Sequence, residues 1–171
     1  MKMELTVWQQ IGATLAAEFS DLKDVTEITQ LSVRLLLAAL LGGILGFERE
    51  QRGKAAGIKT HMLVAIGAAL FILIPQQAGI TDSEMSRVVQ GVITGVGFLG
   101  AGAILKNTSE QEAKGLTTAA GIWLTAAIGI ATGLGREASA ILCTVLALMV
   151  LLIMPKFMAL IDRDTDNHGE D

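Results

Sequence analysis

The sequence predicts an all-α fold, a polytopic membrane helix bundle with five transmembrane helices and an N-terminal amphipathic helix. Three observations lead there. Residues 60–81, 88–105, 115–135 and 138–155 contain no Asp, Glu, Lys or Arg. About 20 residues at roughly 1.5 Å rise cross the hydrocarbon core as a helix. Apolar residues make up 51% of the chain and the mean hydropathy is +0.55, with the 17 acidic and 13 basic residues gathered at the ends and in short joints. The ten-residue alternation of a barrel strand is absent, so helices must satisfy the backbone polar groups in lipid.

Taken in order, residues 1–30 form an amphipathic interfacial segment. Trp8, Ile11, Leu15, Phe19 and Leu22 recur every three or four residues, with Gln9, Gln10, Glu18 and Asp21 on other faces. Trp8 suits headgroup depth. The acidic polar face favours packing against the bundle on the side away from the anionic leaflet. Glu4, Glu18, Asp21, Asp24 and Glu27 interrupt any continuous apolar stretch, so the segment does not read as a signal peptide. The five spans occupy 31–156. The first, 35–47, reaches spanning length only with Leu31, Ser32, Val33 and Arg34 included. Residues 157–171 read as a polar, disordered cytoplasmic tail.

Five spans divide the joints between two sides. Arg49, Arg52, Lys54, Lys59, Lys106, Lys114, Lys156 and Arg163 fall on one side, and Lys2, Lys23, Arg87 and Arg136 on the other. The richer side is cytoplasmic by the positive-inside rule, which puts the N-terminus outside and the C-terminus inside.

The 19 glycines cluster within the spans. Gly42 with Gly46, Gly91 with Gly95, and Gly129 with Gly133 form three GxxxG pairs, which let helix backbones approach closely in lipid and suit a tight bundle or a homodimer. Gly95, Gly97 and Gly100 also match the dinucleotide fingerprint, but no strand precedes them and no βαβ unit surrounds them. Five glycines between Gly91 and Gly102 leave two readings, close packing or an interrupted helix lining a cavity. A parallel internal repeat at an offset of 58 residues aligns Leu41-Gly42 with Leu99-Gly100, and Ala55, Gly57 and Thr60 with Ala113, Gly115 and Thr118.

Few residues suggest chemistry. Glu48, Arg49, Glu50, Arg52, Lys54 and Lys59 crowd the first joint, with Glu48 and Arg52 at i, i+4 spacing for an intrahelical pair, either as a snorkelling collar or as a setting for Glu48 held inside the bundle by Arg49 or Arg34, or on a cation. Glu48 is the one weak candidate for a metal, with Mg²⁺ the ion considered. Glu50 points to another helix face and completes no cage. Arg34 lies about one turn into the first span and either snorkels outward or meets Asp82 or Glu84. His61 reads as a hydrogen-bonded residue at a helix end, and the single Cys143 as a core or lipid-facing side chain. HExxH, GxSxG and Walker A patterns are all missing, so an enzyme is not expected. No cofactor and no nucleic-acid partner are indicated. The expected partners are the lipid bilayer, a second copy of the chain, or another membrane protein.

The stretch from Leu40 to Arg49, then Ala56-Gly57-Ile58-Lys59-Thr60-His61-Met62, resembles the MgtC/SapB family of bacterial membrane proteins. Gly95-Val96-Gly97-Phe98-Leu99-Gly100-Ala101-Gly102 and Gly115-Leu116-Thr117-Thr118 resemble that family's second half. The resemblance covers about residues 31–154 in order and spacing. It implies a five-helix inner-membrane domain with the N-terminus outside, associated with magnesium homeostasis, growth in low magnesium, and virulence. Some members are thought to modulate membrane machines such as the ATP synthase. Glu48, Arg49, Gly57, Lys59 and Thr60 fall in the family's first-loop motif, and Gly97, Gly100 and Gly102 in its glycine-rich third helix. Many members add a soluble C-terminal domain. This chain has about fifteen residues beyond Pro155, so it reads as the short form. Two functions follow: a regulatory protein acting through helix contacts, or a cation transporter or channel with a path through the Gly-rich centre.

Overall fold

The computed structural model describes residues 6–18, 24–105 and 114–166, and every element among them is an α-helix. In chain order these are α1 (Val7–Glu18), α2 (Val25–Gln51), α3 (Ile58–Gln77), α4 (Asp82–Leu105), α5 (Lys114–Gly133) and α6 (Glu137–Asp166). Helices α2 to α6 are each long and apolar enough to cross a membrane. The chain divides into two compact units, Met1–Val33 and Arg34–Asp171. In the first, no residue of α1 is buried. Trp8, Ile11 and Leu15 of its apolar stripe are exposed. Phe19 and Leu22 lie outside the described residues.

Two boundaries differ from the sequence reading. The first span starts at Val25, inside the segment assigned to the interface, because 25–30 contain no Gly or Pro to stop a helix that the following apolar run propagates. Helix α6 continues through Pro155 to Asp166, so 157–166 are helical, not disordered. Polar composition alone does not end a helix already nucleated by an apolar span. Residues 167–171, including His168, lie outside the described part.

Helix α5 is the centre of the second unit and packs against α3, α4 and α6. One apolar core joins Leu41 and Leu45 of α2 to Ile128 of α5 and to Ala140 and Ala147 of α6, with Cys143 packed against it. Another joins Ala68 and Ile72 of α3 to Ala126 and Ile130 of α5. Buried Thr125, Thr132 and Thr144 donate to the carbonyls of Gly121, Gly129 and Ala140 in their own helices, which removes the cost of an unpaired hydroxyl in hydrocarbon.

Glycine sets the spacing around α3. A Cβ on Gly42 would lie 2.6 Å from the His61 carbonyl oxygen, and one on Gly46 2.6 Å from the Ile58 Cα. From the other side, a Cβ on Gly129 would strike the Ala65 carbonyl, and one on Gly133 would lie 2.8 Å from that of Ala69. Two of the three GxxxG pairs therefore press backbone to backbone against α3. The third, Gly91 with Gly95, has nothing within 4 Å of either position. Helix α4 is also continuous through all five of its glycines, so the interrupted-helix reading does not hold.

The two hairpins α2–α3 and α4–α5 share one register. Gly42 packs on His61, and 58 residues later Gly100 packs on Ala119, 3.5 Å from its Cβ. Gly46 meets Gly57 and Ile58, and Gly115 meets Ile104, so at the equivalent contact the glycine sits on the opposite helix.

Candidate functional site

Polar groups concentrate where α2 ends and α3 begins. Gly53 takes φ +62°, a left-handed conformation that closes α2, with the Lys54 N–H donating to the Arg49 carbonyl at 3.0 Å. The return is capped by Glu50, whose Oε2 accepts from the Ile58 N–H at 2.9 Å. Gly57 makes this possible, because a Cβ there would collide with the Glu50 carboxylate.

Behind the turn, Glu48 and Arg49 are 8% and 3% exposed. Arg49 grips Glu48 Oε2 through both Nε, at 2.5 Å, and Nη2. Arg52 Nε lies 2.5 Å from Glu48 Oε1, an ion contact without hydrogen-bond alignment. One carboxylate thus faces two guanidiniums. Arg49, not Arg34, is the arginine that holds Glu48 inside the bundle. To serve a Mg²⁺ ion, the Glu48 carboxylate would have to exchange an arginine contact for the metal. Among the described residues, no group of three His, Cys, Asp or Glu side chains is placed to hold a metal.

His61, 1% exposed, stands one turn into α3. Its Nδ1 lies 3.0 Å from the Gly57 carbonyl oxygen, which assigns the proton to Nδ1. Nε2 is buried and, among the described residues, without a hydrogen-bond partner, 3.5 Å from where a Gly121 Cβ would sit. It borders a space of about 240 Å³ between α2, α5 and α6 that Arg49 and Thr117 also line. Lys59 is exposed and Thr60 half-buried, and neither side chain makes a hydrogen bond among the described residues. Gly97 and Gly102 have no neighbour within 4 Å of a Cβ position, so of the glycines singled out on α4 only Gly100 packs.

Arg34 meets neither Asp82 nor Glu84. Its Nη1 donates to Gln76 Oε1 at 3.0 Å and to the Gly133 carbonyl at 3.1 Å, and Nε lies 3.6 Å from Glu137 Oε1. The C-terminal carbonyls of α5, at the negative end of its dipole, provide what a distant acid was expected to provide. Gly135, at φ +72°, lies so close that a Cβ would be 2.5 Å from Arg34 Nη2. Two features were missed from sequence, the capping role of Glu50 and the unpaired Nε2 of His61. The first was findable, since an acidic residue ahead of a Gly-initiated helix can satisfy its free N–H groups.

Comparison with known proteins agrees with this architecture. The sequence model of the MgtC family matches residues 35–160. Protein SrpB of Synechococcus elongatus is 46% identical over 132 residues, covering 71% of this chain and 72% of that protein. The protein named "Putative magnesium transporter YhiD" of Escherichia coli K12 is 45% identical over 127 residues, covering 70% of this chain and 58% of its own. Protein MgtC of Brucella abortus is 38% identical over 132 residues, covering 77% and 54%. The chain therefore spans little more than half the length of the latter two. No solved structure matches. With the family's pattern laid over four of the spans and the C-terminal part of α2, this chain belongs to the MgtC family of membrane proteins.

Proposed function

We propose that this chain is a regulatory protein of the bacterial inner membrane, linked to magnesium homeostasis and stress or virulence adaptation, that acts by helix contact with other membrane proteins. The observation that carries the reading is the uncovered face between α3 and α4. A groove of about 560 Å³ runs there, lined by Gly67, Gly91 and Gly95 and by Val88, Val92 and Val96. Only 6% of the α4 span is buried, against 50% of α5. In lipid, small residues that leave backbone accessible are what a second helix packs against. The magnesium link rests on the Escherichia coli relative, whose name assigns it magnesium transport. The distribution of cationic joints supports the N-terminus outside and the C-terminus in the cytoplasm.

A photo-crosslinking side chain at Val92 tests this in cells. Capture of a membrane protein that is lost in Gly95→Ile supports the regulator, and capture of lipid alone refutes it. The name of the same relative favours a second reading, a Mg²⁺ transporter. Magnesium flux into liposomes holding the purified chain, abolished by Glu48→Gln, would establish it. Arg49 and Arg52 compete with a cation for the Glu48 carboxylate.

A further inference from the structure

Two adjoining spaces enter the bundle beside the collar. The outer, about 630 Å³, is bordered by Arg52 and Lys54 on one side and by Met154 and Pro155 of α6 on the other. The inner is the 240 Å³ space at His61, and the two share Arg49, Thr117, Val150 and Leu151.

The chemistry changes with depth. At the rim stand Arg52 and Lys54, and Lys54 makes no ion pair among the described residues. Thr117 borders both spaces, and the buried His61 Nε2, without a hydrogen-bond partner among the described residues, borders only the inner one. Beyond them the walls are apolar, with Leu124 and Ala147. On the outward side of α6, Val150 and Met154 are 62% and 53% exposed. Among the described residues three cations border the outer space and Glu48 is the one carboxylate paired with them, so this described lining carries net positive charge.

Phosphate, then glycerol esters, then hydrocarbon is the order of groups down a phospholipid. Basic pockets between membrane helices bind such headgroups. We propose that this cleft is a binding site for one anionic glycerophospholipid. Its phosphate is held by Arg52 and Lys54. Its ester region lies at Thr117 and, through a bridging water, at His61 Nε2. An acyl chain lies against Val150, Leu151 and Met154. Arg49 commits Nε and Nη2 to Glu48, and its Nη1 is free of that carboxylate for an ester or phosphate oxygen. The site does not depend on which face of the membrane the collar occupies.

The test uses the full chain, purified in a neutral detergent and stripped of lipid. Phosphatidylglycerol, phosphatidylcholine and inorganic phosphate are added in turn, with native mass spectrometry counting bound lipid and melting reporting stabilisation. One phosphatidylglycerol per chain is expected, with phosphatidylcholine at least about tenfold weaker. Lys54→Gln should weaken binding about fivefold, the effect of removing one surface cation. Arg87→Gln, an exposed cation near the start of α4, should leave it unchanged. An unaltered melting temperature without lipid shows that Lys54→Gln is folded, and Lys54→Arg should retain binding in any case. The proposal is overturned by equal binding of the two lipids, by no loss in Lys54→Gln, or by equal stabilisation from inorganic phosphate, which would make the cleft a site for free anions.

Discussion

Replacing Glu48 by Gln keeps the shape of the side chain and removes its charge, leaving the Arg49 guanidinium, 3% exposed, without its counter-ion. For charges about 4 Å apart at an effective dielectric of roughly 20, the lost attraction is about 4 kcal/mol. Breaking one partner of a buried pair typically costs about 3–5 kcal/mol, because the survivor stays desolvated. Arg52 adds little. Its side chain is 35% exposed, and water screens its contact with Glu48 to below about 1 kcal/mol. Equilibrium unfolding in mixed micelles should therefore place Glu48→Gln about 3–5 kcal/mol below wild type and Arg52→Gln within about 1 kcal/mol. The double replacement Glu48→Leu with Arg49→Met should recover most of the loss, since an apolar pair of similar volume needs no charge compensation. If Glu48→Gln lost under 1 kcal/mol, or Arg52→Gln matched it, the buried pair would not be what holds this end of the bundle.

Gly129→Val should prevent accumulation of folded protein, because its Cβ would strike the Ala65 carbonyl, whereas Gly91→Ala, with open space around it, should be neutral or stabilising by up to about 1 kcal/mol from helix propensity; parallel expression and melting of the two decide this. Gly135→Ala should cost about 1–2 kcal/mol for its left-handed backbone and more for contact with Arg34, read as a lowered melting temperature that Ala at Gly12, where a Cβ would meet nothing, does not share. Glu50→Ala should cost about 1 kcal/mol by freeing the Ile58 N–H, with faster amide exchange confined to the first turn of α3 as its signature.

Charge-free stretches made the spans legible, since lipid leaves little choice about where charged residues go. Register within the bundle was only partly legible. The GxxxG pairs at Gly42 and Gly129 marked real backbone contacts, while the identical spacing at Gly91 faces open space, because sequence does not say which side of a helix meets a neighbour. Arg34 shows the same limit: the readings considered were an outward reach to the interface or a meeting with Asp82 or Glu84, and the partners that hold it are a Gln amide and a helix-end carbonyl as well as Glu137. In the collar, the i, i+4 spacing of Glu48 and Arg52 predicted one ion contact. The Arg49 contact, between adjacent residues that normally diverge on a helix, depended on burial that only the assembled bundle provides.

Helix α3 is gripped on two sides by glycine-spaced neighbours, while α4 meets α5 backbone to backbone only toward its C-terminal end, at Gly100 and Ile104, and its earlier turns pack through Met85, Val88, Val89 and Val92. Sliding α3 would force carbonyls through adjacent backbone, whereas swinging the first turns of α4 about its Gly115 contact rearranges only flexible or small side chains. Compliance is thus expected in the first half of that span, and lateral pressure or an arriving protein should open the seam between α3 and α4 from that end.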